Sequence, residues 1–209
     1  MGCALAHWRS DDPVRLAVFL ALLAAAAMVK GKVPGVDGKF SAVFFFALLG
    51  STMLSFAELA IASALAGIVQ CTFKQERRPA FIQICFNVAN LLLSAASGFV
   101  VIQRLAPGLG EKPQFLCFLL GAAVYYLVNT GLVSGVLTLV HGGSIIGIWS
   151  QWFLSSLPYY LVGALIVGAV VSANSAASLA MIIVISPPLL LATLYYRVWL
   201  GSAETVPAN

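Results

Sequence analysis

Glu58 stands inside the stretch GSTMLSFAELA and is the one acidic residue within any long apolar run of the chain. A carboxyl group in hydrocarbon is costly, so an intramembrane acid is a functional residue by default: a proton carrier, or a partner for a cation or a strong donor. No lysine or arginine shares an apolar run with it. Read as one helix, the stretch puts Ser51, Ser55 and Glu58 on one face at three- and four-residue spacing. That face is expected to look into a helical bundle. A second set lies in FIQICFNVANLLLSAASG, where Gln83, Asn87, Asn90, Ser94 and Gly98 recur every three or four residues. Such a polar stripe on an oily helix is either the wall of a pocket or interhelical glue, at about 1 kcal/mol per hydrogen bond. A third set, in YYLVNTGLVSGVLTLVHGG, adds Asn129, Thr130, Ser134 and Thr138, with Gly131 and Gly135 at the spacing that allows close helix contact. Asn129 is expected to meet Asn87 or Asn90 if their helices are antiparallel neighbours. The candidate ligand-binding residues are therefore Glu58, Ser55, Asn87, Asn90 and Asn129.

Other chemistry finds little support. There is no pair of intramembrane acids, and no GxSxG, HExxH, P-loop or dinucleotide fingerprint. Cys3, Cys71, Cys85 and Cys117 lack metal-site spacing and read as small buried hydrophobes. His7 and His141 have no second ligand at a useful distance. No catalytic residue, metal or cofactor is expected. The basic residues Lys30, Lys32, Lys74, Arg77, Arg78, Arg104 and Arg197 sit at the ends of apolar runs, as orientation signals and interfacial anchors do. No aromatic and basic face suggests nucleic acid.

The elements that must position these residues follow from composition. Hydrophobic residues make up 61% of the chain and charged ones 9%, far below the roughly 25% charged residues of soluble domains. Mean hydropathy is +1.01. An integral membrane protein is expected, and in lipid each apolar run must close its own backbone hydrogen bonds as a helix. The runs are Val14–Val29, Phe40–Phe73, Phe81–Gln103, Phe115–Val140, Trp152–Val171 and Ala176–Trp199. A cleaved signal peptide is the rival reading of the first, and Gly2-Cys3 does not complete a lipidation motif, since position 6 is Ala6. Residues 30–39 read as a Gly/Pro-rich loop. The run 40–73 would be about 50 Å long as one helix, too long for a hydrocarbon core of about 30 Å. It must break, most plainly at Gly50-Ser51-Thr52. Pro187-Pro188 should kink the last run. Trp149, Trp152, Tyr159, Tyr160, Tyr195, Tyr196 and Trp199 suggest an interfacial belt. The fold class is thus all-α: one polytopic bundle of six or seven helices over 14–199, with a broken or re-entrant segment around 40–60. Residues 1–13 form a leading segment and 200–209 a short tail.

Two resemblances add to this. The order of an Ala-rich first run, FSAVFFFALLGSTMLSFAELAIASALAGIVQ, a basic loop with RRP, FNVANLLLSAASGFVV, VYYLVNTGLVSGVLTL and IIGIWSQWFLSSLPYYL resembles the membrane sensor regions of bacterial cyclic-di-GMP signalling proteins. Those regions precede HD-GYP or GGDEF output domains. The resemblance covers most of 14–196, with FN at 86–87 and VNT at 128–130 as its most specific elements. It implies a sensory module of the bacterial inner membrane whose last helix reports to a cytoplasmic output partner. Here LGSAETVPAN follows Trp199. The outline is also similar to the substrate-binding subunits of energy-coupling-factor vitamin transporters. That likeness implies a coupling partner docked on Ala17, Ala21 and Ala25, although the Gly-Pro usual at their helix break is Gly50-Ser51 here. The expected function is non-catalytic sensing or binding of an unknown small ligand, with vitamin-type uptake as the alternative. The expected location is the inner membrane, multi-pass, with a cytoplasmic C-terminus.

Overall fold

The computed structural model describes residues 12–28, 30–33, 36–73, 78–109 and 114–172. In chain order they form α1 (Pro13–Met28), β1 (Lys30–Val33), β2 (Val36–Ser41), α2 (Val43–Met53), α3 (Phe56–Thr72), α4 (Phe81–Leu109), α5 (Gln114–His141), α6 (Ile145–Trp152), a 3-10 turn (Leu154–Ser156) and α7 (Leu157–Ser172). Among the described residues the fold is helical apart from one two-stranded ribbon. The segments Phe81–Pro107 in α4 and Phe115–His141 in α5 are long and apolar enough to cross a membrane; α1, α2, α3 and α7 are shorter apolar helices. The expected run Ala176–Trp199, with Pro187-Pro188, lies outside the described residues, as do Cys3, His7, Lys74 and Arg77.

Local chemistry explains the helix starts. Asp12 Oδ1 accepts from the Arg15 N–H at 3.0 Å, and Pro13 occupies the first helical position, where its missing N–H costs nothing. Gln83, read as part of the polar stripe, instead caps α4: its Oε1 accepts from the Ala80 N–H at 3.0 Å. At the far end of α5, Gly142 and Gly143 have φ of 76° and 94°. This left-handed conformation ends the helix and suits glycine.

The run 40–73 does break, but not at Gly50-Ser51-Thr52. Helix α2 continues through those residues, and the backbone turns extended at Leu54 (φ −109°, ψ 151°) and Ser55 (φ −66°, ψ 160°). The physical reason is the sequence Ser55-Phe56-Ala57-Glu58, a capping box that starts α3. Gly50 serves packing: a Cβ there would lie 3.1 Å from Leu59 Cδ1. Leu59 therefore folds back on Gly50, and α2 and α3 form a helical hairpin about Leu54-Ser55. The contacts with α4 agree. Leu48 meets Gly98, and Gln103 reaches Ser51, so α2 runs parallel to α4. Phe56 meets Phe99, Gly67 meets Val88, and Cys71 meets Asn87, so α3 runs antiparallel to it. Every residue of α2 from Val43 to Ser51 is buried.

Within the expected loop 30–39, Lys30–Val33 and the start of Val36–Ser41 are paired strands rather than irregular chain. Lys30 pairs with Ser41 and Lys32 with Lys39 in an antiparallel ladder. The strands flank Pro34-Gly35, a dipeptide that marks turns. This pairing brings the end of α1 beside the start of α2. It follows that the β-ribbon, the C-terminus of α3, the N-terminus of α4 and the C-terminus of α5 share one end of the bundle. The α2–α3 turn, the C-terminus of α4, the N-terminus of α5 and the C-terminus of α7 share the other.

Gly131 and Gly135 do not make the close helix contact expected of them. A Cβ on Gly131 would meet nothing within 4 Å, and one on Gly135 only Ile145 Cδ1 at 3.8 Å. The close approaches occur elsewhere. Gly98 faces the Gly121 carbonyl, Gly67 lies on the Val88 backbone, Gly168 lies on Phe115, and Gly163 lies under the Phe44 ring. Cys71 and Cys117 are buried as expected, whereas Cys85 is exposed.

Candidate functional site

Of the aromatic residues assigned to an interfacial belt, Trp149, Tyr159 and Tyr160 instead join an interior cluster with Phe44, Tyr125 and Tyr126; Tyr195, Tyr196 and Trp199 lie outside the described residues. The Phe44 ring lies 4.4 Å from Tyr160, 5.2 Å from Tyr159 and 6.2 Å from Tyr125, centroid to centroid. Tyr126 lies 5.0 Å from Tyr160 and 5.9 Å from Trp149. Tyr125 and Tyr126 are fully buried. The cluster forms because α2 starts there, at Val43, and α7 starts close by, at Leu157. Tyr125 is about 24 Å along α5 from His141, at about 1.5 Å per residue. Over that half of the bundle, α3, α4 and α5 continue without α2 or α7. Helix α6 occupies part of the freed side. It runs back along α5, Ile145 beside Gly135 and Trp149 beside Thr130.

A chain of polar groups crosses the bundle where this half begins. Asn90 Nδ2 donates to Asn129 Oδ1 at 2.6 Å, and Asn129 Nδ2 donates to the Tyr160 hydroxyl at 3.2 Å. Three helices, α4, α5 and α7, are thereby joined through two amides and a phenol. One step further, Trp149 Nε1 donates to Thr130 Oγ1 at 2.8 Å, and the Tyr126 hydroxyl donates to the Phe153 carbonyl at 2.8 Å. The break between α6 and α7 is held to α5 by these two bonds. The chain is not closed. Asn90 Oδ1 and Ser134 Oγ are buried without a hydrogen-bond partner among the described residues. A buried acceptor left open costs about 1–3 kcal/mol. No described bond uses the Tyr160 hydroxyl proton. The relay therefore offers an acceptor at Asn90 and a donor at Tyr160, suited to a neutral polar group such as an amide or hydroxyl.

The expected site residues divide into three places. Asn90 and Asn129 meet, across the antiparallel pair α4 and α5. Asn87 turns to the other neighbour: its Nδ2 donates to Cys71 Sγ on α3 at 2.8 Å, and the Cys71 thiol donates to the Gln83 carbonyl at 3.7 Å. Ser55 and Glu58 lie at the opposite end of α3 from Cys71, about 20 Å away at about 1.5 Å per residue. There Glu58 Oε2 accepts from the Ser55 N–H at 2.8 Å and from the Ser55 hydroxyl at 2.9 Å, while the Glu58 N–H donates back to Ser55 Oγ at 3.3 Å. Across the same turn Gln103 Nε2 donates to the Ser51 carbonyl at 2.8 Å. The acid is tolerated in an apolar setting because it sits at a helix N-terminus, where peptide dipoles favour negative charge and orphan N–H groups need an acceptor. Glu58 and the asparagines do not share one chamber.

Tyr126, Thr130, Trp149 and Tyr160 belong to the site and were not among the expected residues. The doublets Tyr125-Tyr126 and Tyr159-Tyr160 were the available signal, since a buried phenol needs a polar partner. Among the described residues no three His, Cys, Asp or Glu side chains are grouped to hold a metal ion. No family model matches the chain, and no curated protein and no solved structure matches it either.

Proposed function

We propose that this chain is a multi-pass membrane module that binds a small polar ligand without transforming it. The binding place is the half-bundle framed by α3, α4, α5 and α6. The observation that carries the reading is the Asn90–Asn129–Tyr160 relay, which has buried ends, joins three helices and leaves an open acceptor at Asn90. A ligand donating to Asn90 Oδ1 would extend the relay that already joins α4, α5 and α7. Binding would then change how α5, α6 and α7 pack together, which is what a sensor must pass to an output partner in the inner membrane.

The test is the content of the purified protein. A small molecule released by denaturing the wild-type chain and identified by mass spectrometry should fall about tenfold or more in Asn129→Leu, since two hydrogen bonds of about 1 kcal/mol each are lost. Folded yield should drop far less. Equal occupancy in the variant, or no bound molecule in either protein, overturns the proposal.

The placement of charge favours one orientation. The β-hairpin carries Lys30, Lys32 and Lys39, and the connection to α4 carries Lys74, Arg77 and Arg78. By the positive-inside rule that end is cytoplasmic. A crossing by the residues after α7 would then return the C-terminus to the cytoplasm. Vitamin-type uptake is kept as a second reading because Ala17 and Ala21 face outward from α1 and Ala25 is part-exposed, leaving the small-residue face open for a coupling subunit. That reading needs the ligand-binding half to open outside the cell. A Ser144→Cys variant, with the native cysteines replaced by serine, separates the two. An impermeant maleimide added to whole cells should leave it unlabelled in the sensor orientation and label it in the uptake orientation.

A further inference from the structure

We propose that α6 is a lid on the ligand-binding half of the bundle, which swings away from α5 to admit the ligand and closes over it. The inference rests on the membrane ligand-binding reading above and adds the means of entry. Helix α6 has eight residues, and a helix that short has little stability of its own. It packs against α5, the 3-10 turn and β2, and Ile145 and Ile146 at its start are exposed. Two consecutive glycines, Gly142 and Gly143, join it to α5 with φ of 76° and 94°. A Cβ at either would meet nothing within 4 Å, so no packing fixes this joint, and glycine takes either sign of φ without steric cost. The other end is pinned. The Phe153 carbonyl accepts from the Tyr126 hydroxyl at 2.8 Å and from the Ser156 hydroxyl at 2.6 Å. Among the described residues, one side-chain hydrogen bond ties α6 itself to α5, from Trp149 Nε1 to Thr130 Oγ1.

The strip of α5 under the lid is polar. Helix α6 meets α5 at Thr130, through Trp149, and at Gly135, through Ile145. Ser134 is one turn on from Thr130, and the helical period puts it between Thr130 and Gly135 around α5. The Ser134 side chain is fully buried and its Oγ has no hydrogen-bond partner among the described residues. A helical hydroxyl can donate to the carbonyl four residues back, as those of Ser94, Thr130 and Thr138 do. That of Ser134 does not. The closed lid thus covers an unpaired hydroxyl, a cost that opening relieves, as does a ligand group bonded to Ser134. The lid is weakly held by α5 alone and better held over a ligand, which is the balance that entry and capture require.

The test reads access to position 134 in the full chain, purified in neutral detergent. Ser134→Cys is exposed to N-ethylmaleimide, and labelling at that position is followed in time by peptide mass spectrometry. Ser63→Cys is the reference, because Ser63 is as buried, its hydroxyl is also unpaired, and it lies on α3, which packs mainly on α1 and α4. Trp149→Phe removes the bond to Thr130 and keeps a ring against Tyr126, so labelling at 134 should rise about fivefold and labelling at 63 should not. The pair Gly142→Ala and Gly143→Ala disfavours the left-handed joint of the closed lid and should raise it about tenfold or more, which serves if Trp149→Phe does not fold. Gly147→Ala, whose Cβ would meet only Ser144 next to its own helix, should not raise it. The proposal is overturned if neither the Trp149 nor the glycine-pair variant speeds labelling at 134, or if 134 and 63 rise together. Faster labelling in a protein that carries no small molecule would sink the ligand-binding reading and leave the hinged helix standing. A retained small molecule with unchanged labelling would do the reverse.

Discussion

Gly67→Val is expected to prevent α3 and α4 from packing. A Cβ at position 67 would lie 2.8 Å from Val88 Cα and 3.1 Å from Val88 N. Those atoms are backbone and cannot move aside by changing rotamer, so the helices must separate. Overpacking a well-filled interface costs about 1–3 kcal/mol, and here the loss reaches Asn87–Cys71 and Phe56–Phe99 on the same interface, so a total on the order of 3 kcal/mol or more is expected. The measurement is the yield of monodisperse protein and the denaturant midpoint in detergent. Gly131→Ala is the matched control. Nothing lies within 4 Å of that position, so the change should be neutral or stabilising by up to about 1 kcal/mol through helix propensity. Equal behaviour of the two variants would show that α3 and α4 do not approach as described.

The second large effect is expected at the α2–α3 turn. Glu58→Ala removes the acceptor for the Ser55 N–H and hydroxyl. Loss of a helix cap costs about 0.5–2 kcal/mol, and because the Glu58 side chain is buried the upper part of that range is expected. Glu58→Gln keeps an acceptor oxygen at the same reach and should retain most of the stability, since glutamine also serves in capping boxes. Ser55→Ala should cost about 1 kcal/mol, and the double variant Ser55→Ala, Glu58→Ala less than the sum, because the two side chains act as one unit. Bound ligand per folded molecule should be unchanged in all four. A selective loss of ligand in Glu58→Gln, with stability intact, would return Glu58 to the binding site.

Hydrophobic runs and their lengths made the helices legible, including the need for 40–73 to break. The position of that break was also written in the sequence, as Ser55-x-x-Glu58. It was obscured because Gly50-Ser51-Thr52 is the more familiar breaking composition, and because an acid in an oily run suggests function before it suggests a cap. The contact of Asn129 with Asn90 follows from the short α4–α5 connection and the shared helical period. Which of Asn87 and Asn90 it meets depends on the rotation of α4 about its axis, and that is set by Gly67 on Val88 and Gly98 on Gly121, neither of which a single sequence reveals. The tyrosines were misplaced for a related reason. An aromatic residue near the end of an apolar run looks interfacial until it is known that another helix, α2, begins at the same depth.

The bond from Gln103 to the Ser51 carbonyl has a consequence for biogenesis. Helix α2 has 11 residues, about 16 Å, too few to leave a translocon as an independent span. The group that receives the Ser51 carbonyl is made some fifty residues later in synthesis. If the chain inserts into a membrane as proposed, the hairpin of α2 and α3 would wait, held near the insertion machinery or at the bilayer surface, until α4 has emerged to take it in.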